Sequence, residues 1–356
     1  MTNQLDHYRL LGRSGLRVSP LSLGTMTFGT DWGWGADEVQ ARRMFDLYVD
    51  RGGNFVDSAN VYTNGTAERL LGAFAEGRRD RLVIATKYTS AYRPGDPNSG
   101  GTHRKSMMRS VEGSLARLRT DYIDLLYLHA WDDTVAPDEV MRAFDDLVRQ
   151  GKVLHVGLSN TPAWQIGRAQ TLAELRGWAP LTALQIEYNL LQRGVERELI
   201  PAARELGIAV VPWSPLASGV LAGKYAQKDL KIAAGSSPTG TRAEVAASLG
   251  ALSERGLAIA GVVGEVARDI GKTSAQVALA WTLLDPAIVS PIIGARTVAQ
   301  LEENLGALEV ELPAGARAKL DRASAVERGY PYDFLSTPMT RSVVTGGAIV
   351  EARRSR

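Results

Sequence analysis

The sequence predicts a parallel α/β fold closed into a (β/α)8 barrel, and three observations carry that prediction. Eight short apolar, β-branched runs recur along the chain, stretches of helical spacing separate them, and the G-x-G-x-x-G turn of an open dinucleotide fold is absent among all 36 glycines. A barrel of about 250 residues with additions uses up the 356 residues available.

In order, the runs are VSPLSLGTM (18–26), NFVDSANVY (54–62), LVIATKY (82–88), YIDLLYLHA (122–130), VLHVGLSN (153–160), LTALQIEYN (181–189), IAVVPWSPL (208–216) and IVSPIIGA (288–295). Their near-continuous apolar character is that of strands covered on both faces. Between them, 137–151 places Val140, Phe144, Leu147 and Val148 on one helical face, with Gly151 where a C-terminal cap belongs. In 273–285, Thr273 and Gln276 have the spacing of a capping box ahead of Val277, Trp281 and Leu284. Three segments exceed a minimal barrel: a loop over 88–104, an insertion after strand seven over about 225–262, and a C-terminal extension over about 311–356. The expectation is one domain over 1–356 with its core over about 18–310.

Composition narrows the chemistry. With no Cys and four His, thiol nucleophiles, disulfides and iron–sulfur clusters are excluded and zinc sites are disfavoured. No metal ligand set is expected. A formal charge of +2 provides no long-range field for nucleic acid or anionic membrane. No run of about 18 apolar residues or signal-peptide core occurs, so a cytoplasmic protein with no membrane or nucleic-acid partner is expected. Oligomeric state is not legible, although the insertion and extension offer surface for a homo-oligomer.

Four polar residues stand at or beyond the C-terminal ends of apolar runs, the end where barrels keep their active sites: Asp57, Tyr62, Lys87 and His129. Singly they have bland readings. Asp57 with Lys87 is equally a buried ion pair, His129 a hydrogen-bonded core histidine and Tyr62 a rim aromatic. Together on three consecutive strands they describe a proton-transfer site with a phenol as acid. Lys87 is expected to lower the phenol pKa, Asp57 to aim Lys87, and neutral His129 to bind a carbonyl oxygen. Reducing a carbonyl needs a hydride, hence a nicotinamide or flavin. Ser159, Asn160 and Gln185 provide a set suited to a carboxamide, and Trp213, followed by Ser214, a ring for stacking; turn chemistry and core filling are the alternatives. The segment GARTVAQLEEN (294–304) sets Arg296 at a helix start after strand eight, a frequent phosphate position in barrels. An aromatic rim of Trp32, Trp34, Tyr88, Tyr92 and Trp131, with GYPYDF (329–334), fits a cyclic, sugar-like or polyketide-like ketone.

The stretches 54–72, 84–88, 109–132, 151–160, 184–193, 212–225 and 291–304 resemble the aldo-keto reductases, in order and over nearly the whole chain. That resemblance implies a (β/α)8 barrel whose base is closed by an N-terminal hairpin, which 7–19 suits, and NADPH held without a Rossmann domain. It gives Tyr62 the role of proton donor, Lys87 and Asp57 that of tuning it, His129 that of orienting the carbonyl, and Ser159, Asn160 and Gln185 the carboxamide. Gly24, Thr25, Ser214, Leu216, Ser218, Lys224, Arg296, Gln300, Glu303 and Asn304 match cofactor-lining positions, with Trp213 at the stacking ring. Trp213 stands where the mammalian branch has Tyr, and Gln300 where that branch has an Arg for the 2′-phosphate, so NADH stays open as an alternative. The match is nearer to bacterial members and potassium-channel β subunits. His129, where steroid double-bond reductases of the family carry Glu, favours carbonyl reduction. An NADPH-binding redox sensor with negligible turnover is the alternative; a metal-dependent barrel hydrolase is disfavoured by the lack of an H-x-H pair.

Overall fold

A computed structural model describes residues 4–231 and 241–350. The chain divides into two compact units, Met1–Ser324 and Ala325–Arg356. The first opens with an antiparallel hairpin of β1 (Arg9–Leu10) and β2 (Arg17–Val18). Eight parallel strands follow: β3 (Ser22–Gly24), β4 (Phe55–Asp57), β5 (Val83–Tyr88), β6 (Ile123–Leu128), β7 (Val153–Ser159), β8 (Leu181–Glu187), β9 (Ala209–Trp213) and β10 (Ile292–Ile293). They pair in sequence order, with β10 beside β3. The barrel closes where the Val289 N–H donates to the Val210 carbonyl, 2.9 Å away. All eight apolar runs contribute to the sheet, but the last is broken. Pro291 lacks an N–H, so Ile288 bridges to β9 while Ile292–Ile293 pair with β3.

The helices are α1 (Glu38–Asp50), α2 (Thr66–Phe74), α3 (Arg104–Leu118), α4 (Pro137–Arg149), α5 (Ala163–Arg176), α6 (Leu199–Leu206), α7 (Arg242–Ser248), α8 (Glu254–Asp269), α9 (Ser274–Thr282), α10 (Val298–Leu305) and α11 (Ala314–Ala323). Helix α4 buries Val140, Phe144 and Leu147 as its spacing requires, and Gly151 follows with φ 72°. The Thr273–Gln276 capping box is present on α9, which ends at Thr282 and leaves Leu284 exposed. The insertion is shorter than the sequence suggested, because α8 already buries Ile259, Ala260 and Val263 in the core; 232–240 lie outside the described residues. Helix α11 belongs to the first unit, tied to α8 by Lys319–Glu265 at 2.9 Å. The second unit carries α12 (Tyr332–Ser336) and α13 (Pro338–Thr345), and it includes 329–334.

The pleat decides which side chains face the barrel interior. Phe55, Val83, Ala85, Leu125, Tyr127, Ala183, Ala209 and Val211 form one buried cluster, with Leu11 and Val18 of the hairpin among them. A strand's side chains alternate, so each inward series continues two residues on: Phe55 to Asp57, Ala85 to Lys87, Tyr127 to His129, Ala183 to Gln185, Val211 to Trp213. The interior is therefore apolar at one end and polar at the other. The intervening residues Val56, Ile84, Leu126, Leu184 and Val210 face the helices in the larger core.

Candidate active site

At the polar end, Lys87 Nζ lies 2.5 Å from Asp57 Oδ1, 2.6 Å from the Ser58 carbonyl and 3.2 Å from Tyr62 Oη. Lys87 is wholly buried and Asp57 nearly so. Burial pulls the Lys87 pKa down, but Asp57 and Tyr62 together outweigh it and hold the ammonium above its ordinary value. The expected lowering of Tyr62 does not result. Burial raises the phenol pKa by more than Lys87 lowers it, and Asp57 adds to the rise, so the hydroxyl stays protonated at neutral pH. The ammonium is shared with Asp57, and its pull on the phenol is correspondingly incomplete.

Tyr62 is aimed by the turn that follows it. Thr63 and Asn64 hold left-handed φ values of 45° and 55°, a conformation costly for residues with a Cβ. Thr63 is locked there: its Oγ1 donates to the Phe28 carbonyl at 2.7 Å and accepts from the Ala67 N–H at 3.0 Å. The His129 ring stands edge-on to Tyr62, centroids 6.0 Å apart, and Trp32 approaches Tyr62 edge-on at 6.4 Å. Burial, then the Lys87 charge, push His129 down to about 3, so the imidazole is neutral and its Nδ1 has no partner among the described residues. A phenol proton and a neutral imidazole thus border one space.

Gln185 donates its Nε2 to Asp57 Oδ2 at 2.7 Å, fixing the carboxylate as well as standing beside Ser159 in the β7–β8 register. Asn160 donates to the His129 carbonyl at 2.8 Å and accepts from the Trp213 indole N–H at 3.1 Å. Both its polar atoms are engaged in positioning neighbours. Ser159 is fully buried, and its Oγ has no partner among the described residues. Further along the rim, Ser214 (φ 52°) and Ser218 (φ 55°) shape the turn that includes Leu216. Gly24 abuts β10, where a Cβ would lie 2.8 Å from Ile292 Cγ2, and Thr25 Oγ1 donates to the Asp57 carbonyl at 3.0 Å. Gln300 accepts from the Arg296 N–H at 2.9 Å, and Asn304 donates to the Gly294 carbonyl at 3.3 Å.

Burial lowers the pKa of Lys224, and the nearby charges of Arg296 and Arg242 on this rim lower it further; Glu303 opposes the effect. Arg242 was invisible to sequence reasoning, since no spacing ties it to Lys224. Its guanidinium also covers the Trp34 ring at 5.2 Å. A buried hydroxyl without a partner and three cations facing one acid suit a ligand with a carboxamide at one end and phosphates at the other.

Of the aromatic set, Trp32 and Trp34 touch each other, with centroids 5.7 Å apart, and Trp32 is the one that meets Tyr62. Trp131 is partly buried and donates to Asp133 at 2.9 Å. Tyr92 is exposed on the loop before α3, over Arg109. Tyr88 does not line a pocket. It is fully buried, packs edge-on to Phe144 of α4 and donates to the Thr102 carbonyl, because the residue after inward-facing Lys87 must face the helices. Among the described residues no group of His, Cys, Asp and Glu is arranged to hold a metal ion, and no helix is long and apolar enough to cross a membrane. His103 caps α3 and His155 faces Thr182.

The profile of the aldo/keto reductase family matches residues 20–325. The chain belongs to that family. This aldo/keto reductase is 38% identical over 342 residues to norsolorinic acid reductase of Emericella nidulans, covering 93% of this chain and 85% of that protein. It is 42% identical over 318 residues to an uncharacterised oxidoreductase of Bacillus subtilis, covering 86% and 92%. It is 35% identical over 341 residues to the NADP(+) aryl-alcohol dehydrogenase of Phanerodontia chrysosporium, covering 92% and 88%. The reductase also carries a buried Glu68 that sequence reading passed over. It accepts from Thr86 at 2.6 Å and from Arg117 at 2.7 Å, bracing the residue before Lys87. Its position among Ala67, Leu71 and Gly72 on the buried face of α2 was the available signal.

Proposed function

We propose that this protein reduces an aryl aldehyde or ketone to the alcohol with NADPH. The observation that carries this reading is the series Asp57–Lys87–Tyr62 with neutral His129 edge-on to the phenol. Bound NADPH supplies a hydride to the carbonyl carbon. The Tyr62 hydroxyl gives its proton to the carbonyl oxygen, and the phenolate left behind is stabilised by Lys87 at 3.2 Å. Asp57, held by Gln185, keeps Lys87 charged and in place. A neutral imidazole donates a hydrogen bond to the same oxygen without competing as an acid. Ser159 and Gln185 would hold the carboxamide, and Trp213 would stack on the ring.

Lys224, Arg242 and Arg296 support NADPH over NADH, since a 2′-phosphate offers the charge that they lack. Trp32 beside Tyr62, with Trp34 packed against it, together with the aryl-alcohol dehydrogenase among its relatives, supports an aromatic carbonyl. A panel of substituted benzaldehydes and aliphatic aldehydes, followed by cofactor absorbance with NADPH and with NADH, tests the reading. Sustained NADPH oxidation with the aromatic members is expected. Nucleotide binding without turnover on any member would replace it with the redox-sensor reading.

A further inference from the structure

A cavity of about 400 Å³ opens between the Asn60–Asn64 segment, the loop at Tyr92 and the outer face of α3. That volume is in the range of small-molecule pockets, ~300–1,000 Å³. Its lining holds two guanidiniums, Arg109 and Arg117, and no carboxylate. Arg109 is exposed, lies 5.7 Å from the Tyr92 ring centroid and pairs with no acid among the described residues. Arg117 is held from behind by Glu68, which takes its Nε at 2.7 Å; Nη2 makes a long contact of 3.4 Å with Ser114. The Arg117 fork lies against Gly113, where a Cβ would stand 3.0 Å from Nη1. A glycine inside a helix costs about 1 kcal/mol relative to alanine, and here its bare face admits the guanidinium. Asn60 is 6% exposed, and its Oδ1 has no hydrogen-bond partner among the described residues.

We propose that this cavity is a second ligand site, separate from the catalytic one, for a small molecule bearing a carboxylate or phosphate. The guanidiniums of Arg109 and Arg117 take the anion, the Tyr92 ring covers the ligand body, and Asn60 accepts from a hydroxyl or amide. Both charges stand on α3, eight positions apart, and one is pre-oriented by a buried carboxylate that is itself fully engaged.

Titration calorimetry of the full chain with benzoate and with inorganic phosphate, and with benzamide as the uncharged control, tests the site. Saturable binding of benzoate or phosphate is expected, at least tenfold tighter than benzamide and weakened at least tenfold by Arg109→Ala. Tighter benzoate identifies an organic acid as the ligand class, and tighter phosphate a phosphate ester. Gly113→Ala is the second variant. It favours the helix, leaves the Arg117–Glu68 pair its charges, and is expected to weaken binding by pushing the fork aside. Failure of both anions to bind, or binding unweakened by both substitutions, overturns the proposal.

Discussion

Gln185 on β8 donates to Asp57 on β4 across the barrel interior, 2.7 Å between Nε2 and Oδ2. These strands are four apart in an eight-stranded barrel, so the bond spans its diameter at the level of Lys87. The carboxylate is thereby divided between an amide and an ammonium, and its orientation toward Lys87 depends on a residue remote in sequence. Gln185→Leu removes the donor and leaves Oδ2 buried without a partner. The expected result is a loss of about 1–3 kcal/mol in stability. Carbonyl reduction falls with it, and chemical denaturation beside single-turnover kinetics separates the two effects.

His129 is neutral over the working range. Its folded pKa of about 3 lies below the ordinary value of 6.5, so the native state binds fewer protons than the unfolded chain between those values. Its contribution to stability is complete above pH 6.5 and is lost as pH falls toward 3. Denaturant midpoints measured across that interval should fall less steeply in His129→Asn than in wild type. The pH profile of kcat/KM should show no histidine limb near neutrality; a limb that vanishes in the variant would contradict the assignment of a neutral donor.

The cation cluster predicts cofactor choice. Arg242→Ala should raise KM for NADPH about tenfold or more while changing that for NADH little, because a charge-assisted contact of the 2′-phosphate contributes roughly 1.5–3 kcal/mol. The difference should shrink at high salt. Equal effects on both nucleotides would place Arg242 elsewhere than at the extra phosphate.

Helices α2 and α3 touch backbone to backbone at Gly72, where a Cβ would lie 2.6 Å from the Leu118 carbonyl carbon. Gly72→Ala forces these helices apart, with an expected cost of about 1–3 kcal/mol. A lower thermal midpoint with unchanged kcat per folded molecule is the expected signature.

Sequence made the barrel legible because buried parallel strands read as apolar runs, and it made Asp57, Lys87 and His129 legible because ionisable groups in such runs demand a partner. Period two, applied once Lys87 faced inward, would also have assigned Tyr88 to the helix side, where Phe144 meets it. Partners across the barrel are different in kind. Nothing local in LTALQIE marks Gln185 as the anchor of Asp57, nor does any spacing join Arg242 to Lys224, since both relationships arise only when the sheet closes and the rim folds over. The direction of the Tyr62 shift was equally out of reach, because it is the difference between burial and a shared ammonium. Glu68 sits on the buried face of α2, but its partners Thr86 and Arg117 come from β5 and α3 and meet it only in the folded chain.

Tyr62 as the proton donor is the centre of the account, and Tyr62→Phe tests it most directly. The variant keeps the ring beside Trp32 and His129 and removes only the hydroxyl. Single-turnover reduction of a substituted benzaldehyde should slow by about 10²–10⁴, the usual contribution of a positioned general acid, with nucleotide affinity unchanged. A wild-type rate in the folded, nucleotide-bound variant would contradict it.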